Sequence, residues 1–172
     1  PGRIVEVNMS FLERLAQFLT DPTVSSLLLT IGFAGIVLEF ITPGFGAFGI
    51  LGIIAMALFF GGRLVVGLAG WWLVLLYLVG VLLLLAEVFL IPGFGIAGIS
   101  GLIATFLSIG LAFADKEQAA ISILVSLGLT IAIIVIALKY LPKTRVWGRF
   151  VLDTKLDSEA GYFAQPTLSD YL

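Results

Sequence analysis

The 172-residue sequence contains no cysteine and no histidine. Disulfides, thiolate chemistry and the usual zinc ligands are therefore excluded. Charge is also scarce. Charged residues make up 12% of the chain, against about 25% in a soluble globular domain. Sixty per cent of residues are hydrophobic and the mean hydropathy is +1.19, so there is too little polar surface to face water. The formal net charge of −2 discriminates nothing, but the placement of charge does. Between Pro22 and Leu138 the only ionised side chains are Glu39, Arg63, Glu87, Asp115, Lys116 and Glu117. No basic face for nucleic acid exists. These absences leave an integral membrane protein.

What is present are long apolar runs. A membrane-spanning helix needs about 20 residues, within a range of roughly 17 to 25. The candidates are Pro22 to Ile41, a short stretch from Phe45 to Phe60, Trp71 to Ile91, Phe94 to Ala114, and Gln118 to Lys139. Gly61 to Gly70, with Arg63, reads as the loop after the second span. Asp115-Lys116-Glu117 reads as a tight charged turn. The expected fold is an all-α membrane protein of about five transmembrane helices, and a four-span version would make the short second stretch re-entrant. Lys139, Lys143, Arg145 and Arg149 crowd after the last span. The positive-inside rule places that end in the cytoplasm and the N-terminus outside, with Arg63 a lone exception. Tyr140 and Trp147 suit interfacial anchors there.

The expected division is an amphipathic N-terminal segment over residues 1–21, a transmembrane bundle over 22–141 and a cytoplasmic juxtamembrane tail over 142–172. Ser10 and Glu13 fit a capping box. Phe11, Leu12, Leu15, Phe18 and Leu19 share one face of the helix that follows. Such a helix lies in the membrane interface or packs on a soluble domain outside this chain, and the pattern suits both. The chain begins at Pro1 and its first residues lack the order of a targeting segment, so it reads as a fragment or a processed product. The tail is too short for its own core.

The most informative feature is an internal repeat. Glu39, Pro43, Gly44, Phe45, Gly46, Gly49 and Gly52 recur as Glu87, Pro92, Gly93, Phe94, Gly95, Gly98 and Gly101. Each copy reads as helix, PGFG turn and helix, giving a parallel two-helix repeat. Proline ends the incoming helix. The glycines of the outgoing helix recur every third residue, so another backbone can approach closely. Twice the motif contains G-x-G-x-x-G, but no β-strand precedes it and no acidic residue follows in a βαβ unit, so a dinucleotide site is rejected. No cofactor or metal is expected.

Glu39 and Glu87 sit near span ends, about one turn before their prolines. A carboxylate near hydrocarbon is a functional candidate by default. The favoured role is local, accepting hydrogen bonds from free N–H groups at the start of the outgoing helix. The competing role is a proton or cation site.

Taken together, the doubled Glu/PGFG motif, Phe59-Phe60-Gly61-Gly62, the segment Gly67 to Trp71, the approach from Phe18 to Leu29 and Val151-Leu152-Asp153-Thr154 resemble the membrane region of NfeD proteins. The resemblance covers nearly the whole chain. It implies a membrane module of a long-form member, without that form's ClpP-class serine protease domain and OB-type barrel. It also implies a bacterial or archaeal cytoplasmic membrane and a stomatin- or flotillin-like (SPFH) scaffold partner. No serine here inherits the protease role, because the dyad belongs to the other domain.

Three function classes follow. The first is a non-enzymatic anchoring and interaction module that contacts the bilayer, an SPFH partner and further copies of itself, with the glycine faces as contacts. The second is a small transporter or channel subunit using Glu39 and Glu87. The third, an intramembrane protease, fails on residue types: there is no histidine, no aspartate pair within the spans, and both Lys116 and Lys139 sit at span ends.

Overall fold

The computed structural model describes residues 9–42, 46–90 and 95–140. Among them are six α-helices and no strand: α1 Phe11–Thr20, α2 Pro22–Ile41, α3 Ala47–Val66, α4 Trp71–Phe89, α5 Ile96–Leu111 and α6 Lys116–Tyr140. Four of these, α2, α3, α4 and α6, are long and apolar enough to cross a membrane, and α5 is a shorter apolar helix. This is an all-helical membrane protein with about five transmembrane helices. Among the described residues, those up to Ala132 belong to one compact unit and those from Ile133 to Tyr140 to a second.

Local chemistry sets the boundaries. Ser10 and Glu13 form a reciprocal capping box at α1. Asp21 ends α1 and caps α2, its carboxylate accepting from the Thr23 and Val24 N–H groups at 2.9 and 3.3 Å. Pro22 takes the first helical position, where its missing N–H costs nothing. Asp115 accepts from Glu117 N–H at the start of α6 at 3.1 Å.

Helices α2 and α3 form one antiparallel hairpin, and α4 and α5 form a second. Each closes on glycine. A Cβ built on Gly35 would lie 2.5 Å from the Phe48 carbonyl oxygen and 2.9 Å from the Gly52 backbone. A Cβ on Gly80 would lie 2.7 Å from Thr105 N and 2.9 Å from the Gly101 carbonyl oxygen. In both hairpins backbone meets backbone, which only small residues permit. Aromatic side chains meet between the hairpins. Phe33 meets Phe106, Phe40 meets Phe89 and Phe60 meets Tyr77, at centroid separations of 5.6, 6.0 and 5.2 Å.

Two expectations need correction. The second span is not short, and no loop begins at Gly61: α3 continues to Val66 and carries Arg63 inside it. The glycines at 61 and 62 did not break the helix, because Gly62 is the seat of α1, where an added Cβ would meet Leu19 Cβ at 2.8 Å. The short helix is instead α5, which stops at Leu111 rather than Ala114 because Ala112 is diverted to a tertiary contact. The apolar stripe of α1 divides between the bundle and its exterior. Ala16 and Leu19 are buried, whereas Phe11, Leu12, Leu15 and Phe18 are exposed.

Candidate functional site

The glutamates of the repeat lie at the turn end of the two hairpins. Neither outgoing helix has a side chain to cap it, because the N-cap residues are Gly46 and Gly95. Both adopt left-handed backbone, with φ of +65° and +70°, a conformation that glycine adopts without strain. The cap is supplied from the preceding helix. One Glu39 carboxylate oxygen accepts from Gly46 N–H at 3.0 Å and the other from Gly49 N–H at 3.1 Å. Glu87 does the same with Gly95 at 2.7 Å and Gly98 at 3.2 Å. One carboxylate thus takes both jobs of a capping box, at the N-cap and N3 positions. The negative charge sits where the helix dipole is positive.

Gly49 and Gly98 make room for this. A Cβ at either would press on the glutamate's own Cγ, at 3.3 and 3.1 Å. Gly52 and Gly101 pack on the partner helix of the same hairpin. All four glycines, offered by the sequence as contacts for another protein, are therefore consumed inside their hairpins. Pro43, Gly44, Pro92 and Gly93, and the tail over 142–172, lie outside the described residues. The second copy has one more residue between glutamate and proline, yet the cap geometry is the same.

The cap can be tested directly. Glutamine retains one acceptor oxygen and turns an N–H₂ toward a backbone N–H. Glu39→Gln and Glu87→Gln are each expected to cost about 1–2 kcal/mol, read as lower thermal stability in detergent with membrane insertion unchanged. Stability equal to the parent in both variants would show that the caps carry no energy.

At the opposite end of the bundle sits a residue that sequence reasoning misplaced. Arg63 is 1% exposed. Its Nε donates to the Ala112 carbonyl at 3.1 Å, Nη1 to the Phe59 carbonyl at 3.3 Å and Nη2 to Ser25 Oγ at 2.9 Å. The guanidinium carbon lies 3.7 Å from the Phe59 ring centroid and 4.3 Å from that of Phe113. No carboxylate pairs with it among the described residues. Compensation comes from aromatic faces and from two helix C-termini, since Arg63 lies in the last turn of α3 and reaches the carbonyl just beyond α5. Ser25 Oγ in turn donates to the Leu19 carbonyl at 3.4 Å. A single cation therefore ties together the ends of α1, α2, α3 and α5.

A second polar feature was also missed. Ala119, Ser122, Ser126 and Thr130 form the buried face of α6. Ser126 Oγ donates across to the Ser26 carbonyl of α2 at 3.0 Å. The signal was legible as small and hydroxyl residues at helical spacing among isoleucines and leucines.

The match of this paired-hairpin membrane region to known proteins is direct. The family model of the NfeD integral membrane domain covers residues 23–141. The chain belongs to the NfeD family. A relative, membrane protein NfeD1b of Bacillus subtilis (strain 168), is 38% identical over 164 residues. That alignment takes in 95% of this chain and 37% of the relative, so the chain spans little more than a third of that protein's length. No solved structure matches. The NfeD membrane domain includes both glutamate caps, the Arg63 network and every helix from α3 to α6.

Proposed function

We propose that this NfeD membrane domain is a non-enzymatic anchoring and interaction module that associates with an SPFH-type membrane scaffold. The observation that carries this reading is the internal satisfaction of the repeat's charges. Each glutamate has both carboxylate oxygens engaged by the N–H groups of its own hairpin. The outward faces of α4 and α6 are rich in exposed apolar side chains such as Leu75, Leu82, Leu124 and Ile131. Such surfaces suit lipid and apolar helices. Contact with a partner falls on these faces or on the tail, since the glycine faces are spent within the hairpins.

In this reading the N-terminus is outside and the basic segment after α6 is cytoplasmic. Helix α1 then lies in the outer interface, with Phe11, Leu12, Leu15 and Phe18 turned to lipid and Ala16 and Leu19 seated on α3. The transporter alternative is the weaker one. The cavity that reaches Glu39 is walled by apolar side chains, with Tyr77 the other polar group of note.

The test is crosslinking in the native membrane, solubilisation and mass spectrometry of what is captured. Near-stoichiometric recovery of an SPFH-type protein, lost when Leu75 and Leu82 are both changed to tryptophan or when the tail is removed, is the expected result. Recovery of this protein alone, together with proton or cation flux in vesicles that Glu39→Gln abolishes, would replace the reading with the transporter.

A further inference from the structure

The two hairpins do not close against each other along their whole length. Between α3 and α4 runs a groove of about 640 Å³. It follows α4 from Trp71 to Leu85, which at 1.5 Å per residue is about 21 Å. Its walls are apolar: Met56, Ala57 and Phe60 on one side, Val74, Leu78 and Val81 on the other. In a bilayer such a space is filled by something apolar.

Spread over about 21 Å, that volume gives a cross-section of about 30 Å². A single extended hydrocarbon chain suits both its length and its narrowness. Two polar side chains line it, and since both oxygens of Glu39 are taken by its own hairpin, Tyr77 is the one left to mark an end of such a chain. Tyr77 is 8% exposed and lines the groove, and its hydroxyl has no hydrogen-bond partner among the described residues. Side chains on a helix lean toward its N-terminus, so this phenol leans toward the Trp71 end. Along α4, Tyr77 lies about 9 Å from Trp71 and about 12 Å from Leu85.

We propose that the groove between α3 and α4 binds one glycerophospholipid from the leaflet on the Trp71 side, with an acyl chain running toward Leu85 and the Tyr77 hydroxyl donating to an ester carbonyl. The placement explains why a phenol stands in an otherwise apolar wall. It also explains a glycine that nothing else requires. Gly61 lines the groove, and a Cβ added there meets nothing within 4 Å. The space beside it is kept for the chain. The repeat supplies a contrast, because Glu87 has the same cap as Glu39 but does not border this groove.

The experiment uses the full-length protein in phosphatidylglycerol/phosphatidylethanolamine vesicles. The probe is a phosphatidylcholine with a diazirine in mid-chain, and labelled peptides are located by mass spectrometry. The expected result is labelling concentrated on Met56 to Phe60 and Val74 to Val81. Gly61→Leu fills the groove and should lower it by about tenfold or more, with labelling of the outer face of α6 unchanged. Tyr77→Phe removes one hydrogen bond and should lower it by about two- to tenfold, and only for the ester-linked probe, not for its ether-linked analogue. Labelling spread evenly over α2, α4 and α6 and indifferent to Gly61→Leu would overturn the proposal. So would crosslinks between two copies of the chain through α3 and α4, which would make the groove a protein interface. The hydroxyl assignment fails separately if ester and ether probes respond alike to Tyr77→Phe.

Discussion

Replacing Arg63 by alanine is expected to lower the stability of the folded bundle by about 3 kcal/mol, through a large cavity and the loss of charge-assisted hydrogen bonds. The substitution leaves the Ala112 carbonyl and the Ser25 hydroxyl without a donor at a place that water does not reach. It also removes the cation from between Phe59 and Phe113. Two further variants separate packing from charge. Arg63→Met keeps most of the volume and escapes the cost of a buried ion, so it should lose about 1–2 kcal/mol, roughly half as much as alanine. Arg63→Lys keeps the charge but not the planar fork that reaches three acceptors while stacking on rings, and should lose about 2 kcal/mol. The measurement is reversible unfolding in bicelles by a denaturing detergent. A bundle indifferent to alanine would show that the network is incidental. Methionine as damaging as alanine would show that the charge against the two helix C-termini matters more than the filled volume.

The second large effect concerns glycine, and it takes opposite signs at different positions. Gly35→Ala and Gly80→Ala should each cost about 2–3 kcal/mol, because the added methyl meets backbone atoms that no rotamer change can move. Gly110→Ala and Gly128→Ala should instead stabilise by up to about 1 kcal/mol, because both are helical and a Cβ there meets nothing within 4 Å. The same unfolding assay reads both pairs. A uniform gain across all four would mean that the hairpins separate without penalty, and a uniform loss would mean that the outer faces of α5 and α6 are also packed.

Much of this was legible in one dimension. The runs of about twenty apolar residues located α2, α4 and α6 to within a few residues, because the hydrocarbon thickness sets helix length. The repeat showed two equivalent hairpins, since proline and glycine recur at identical spacing in both copies. The capping box of Ser10 and Glu13 was readable because capping acts over two or three residues.

Arg63 was the main failure, and the reason is physical. A lone cation in an apolar stretch reads as a helix end because, without partners, burying it is prohibitive. Its partners come from Ser25, thirty-eight residues earlier, and Ala112, forty-nine residues later, and no local pattern announces them. The glycine faces were likewise recognised as places of close approach, but periodicity does not say which backbone approaches. The apolar stripe of α1 shows the same limit. Helical spacing of apolar residues gives the direction in which a face points and not whether protein or lipid meets it.

The amino-acid sequence by itself therefore determined that this protein lives in a membrane, that it has about five helices to cross with, and that two of its hairpins are copies. Those properties depend on composition, run length and short-range backbone chemistry. Tertiary structure alone decided where the buried charge goes, which glycines are spent within a hairpin, and where an apolar groove is left between two hairpins. Those depend on atoms brought together from distant parts of the chain, and their energies exist only once the helices are packed.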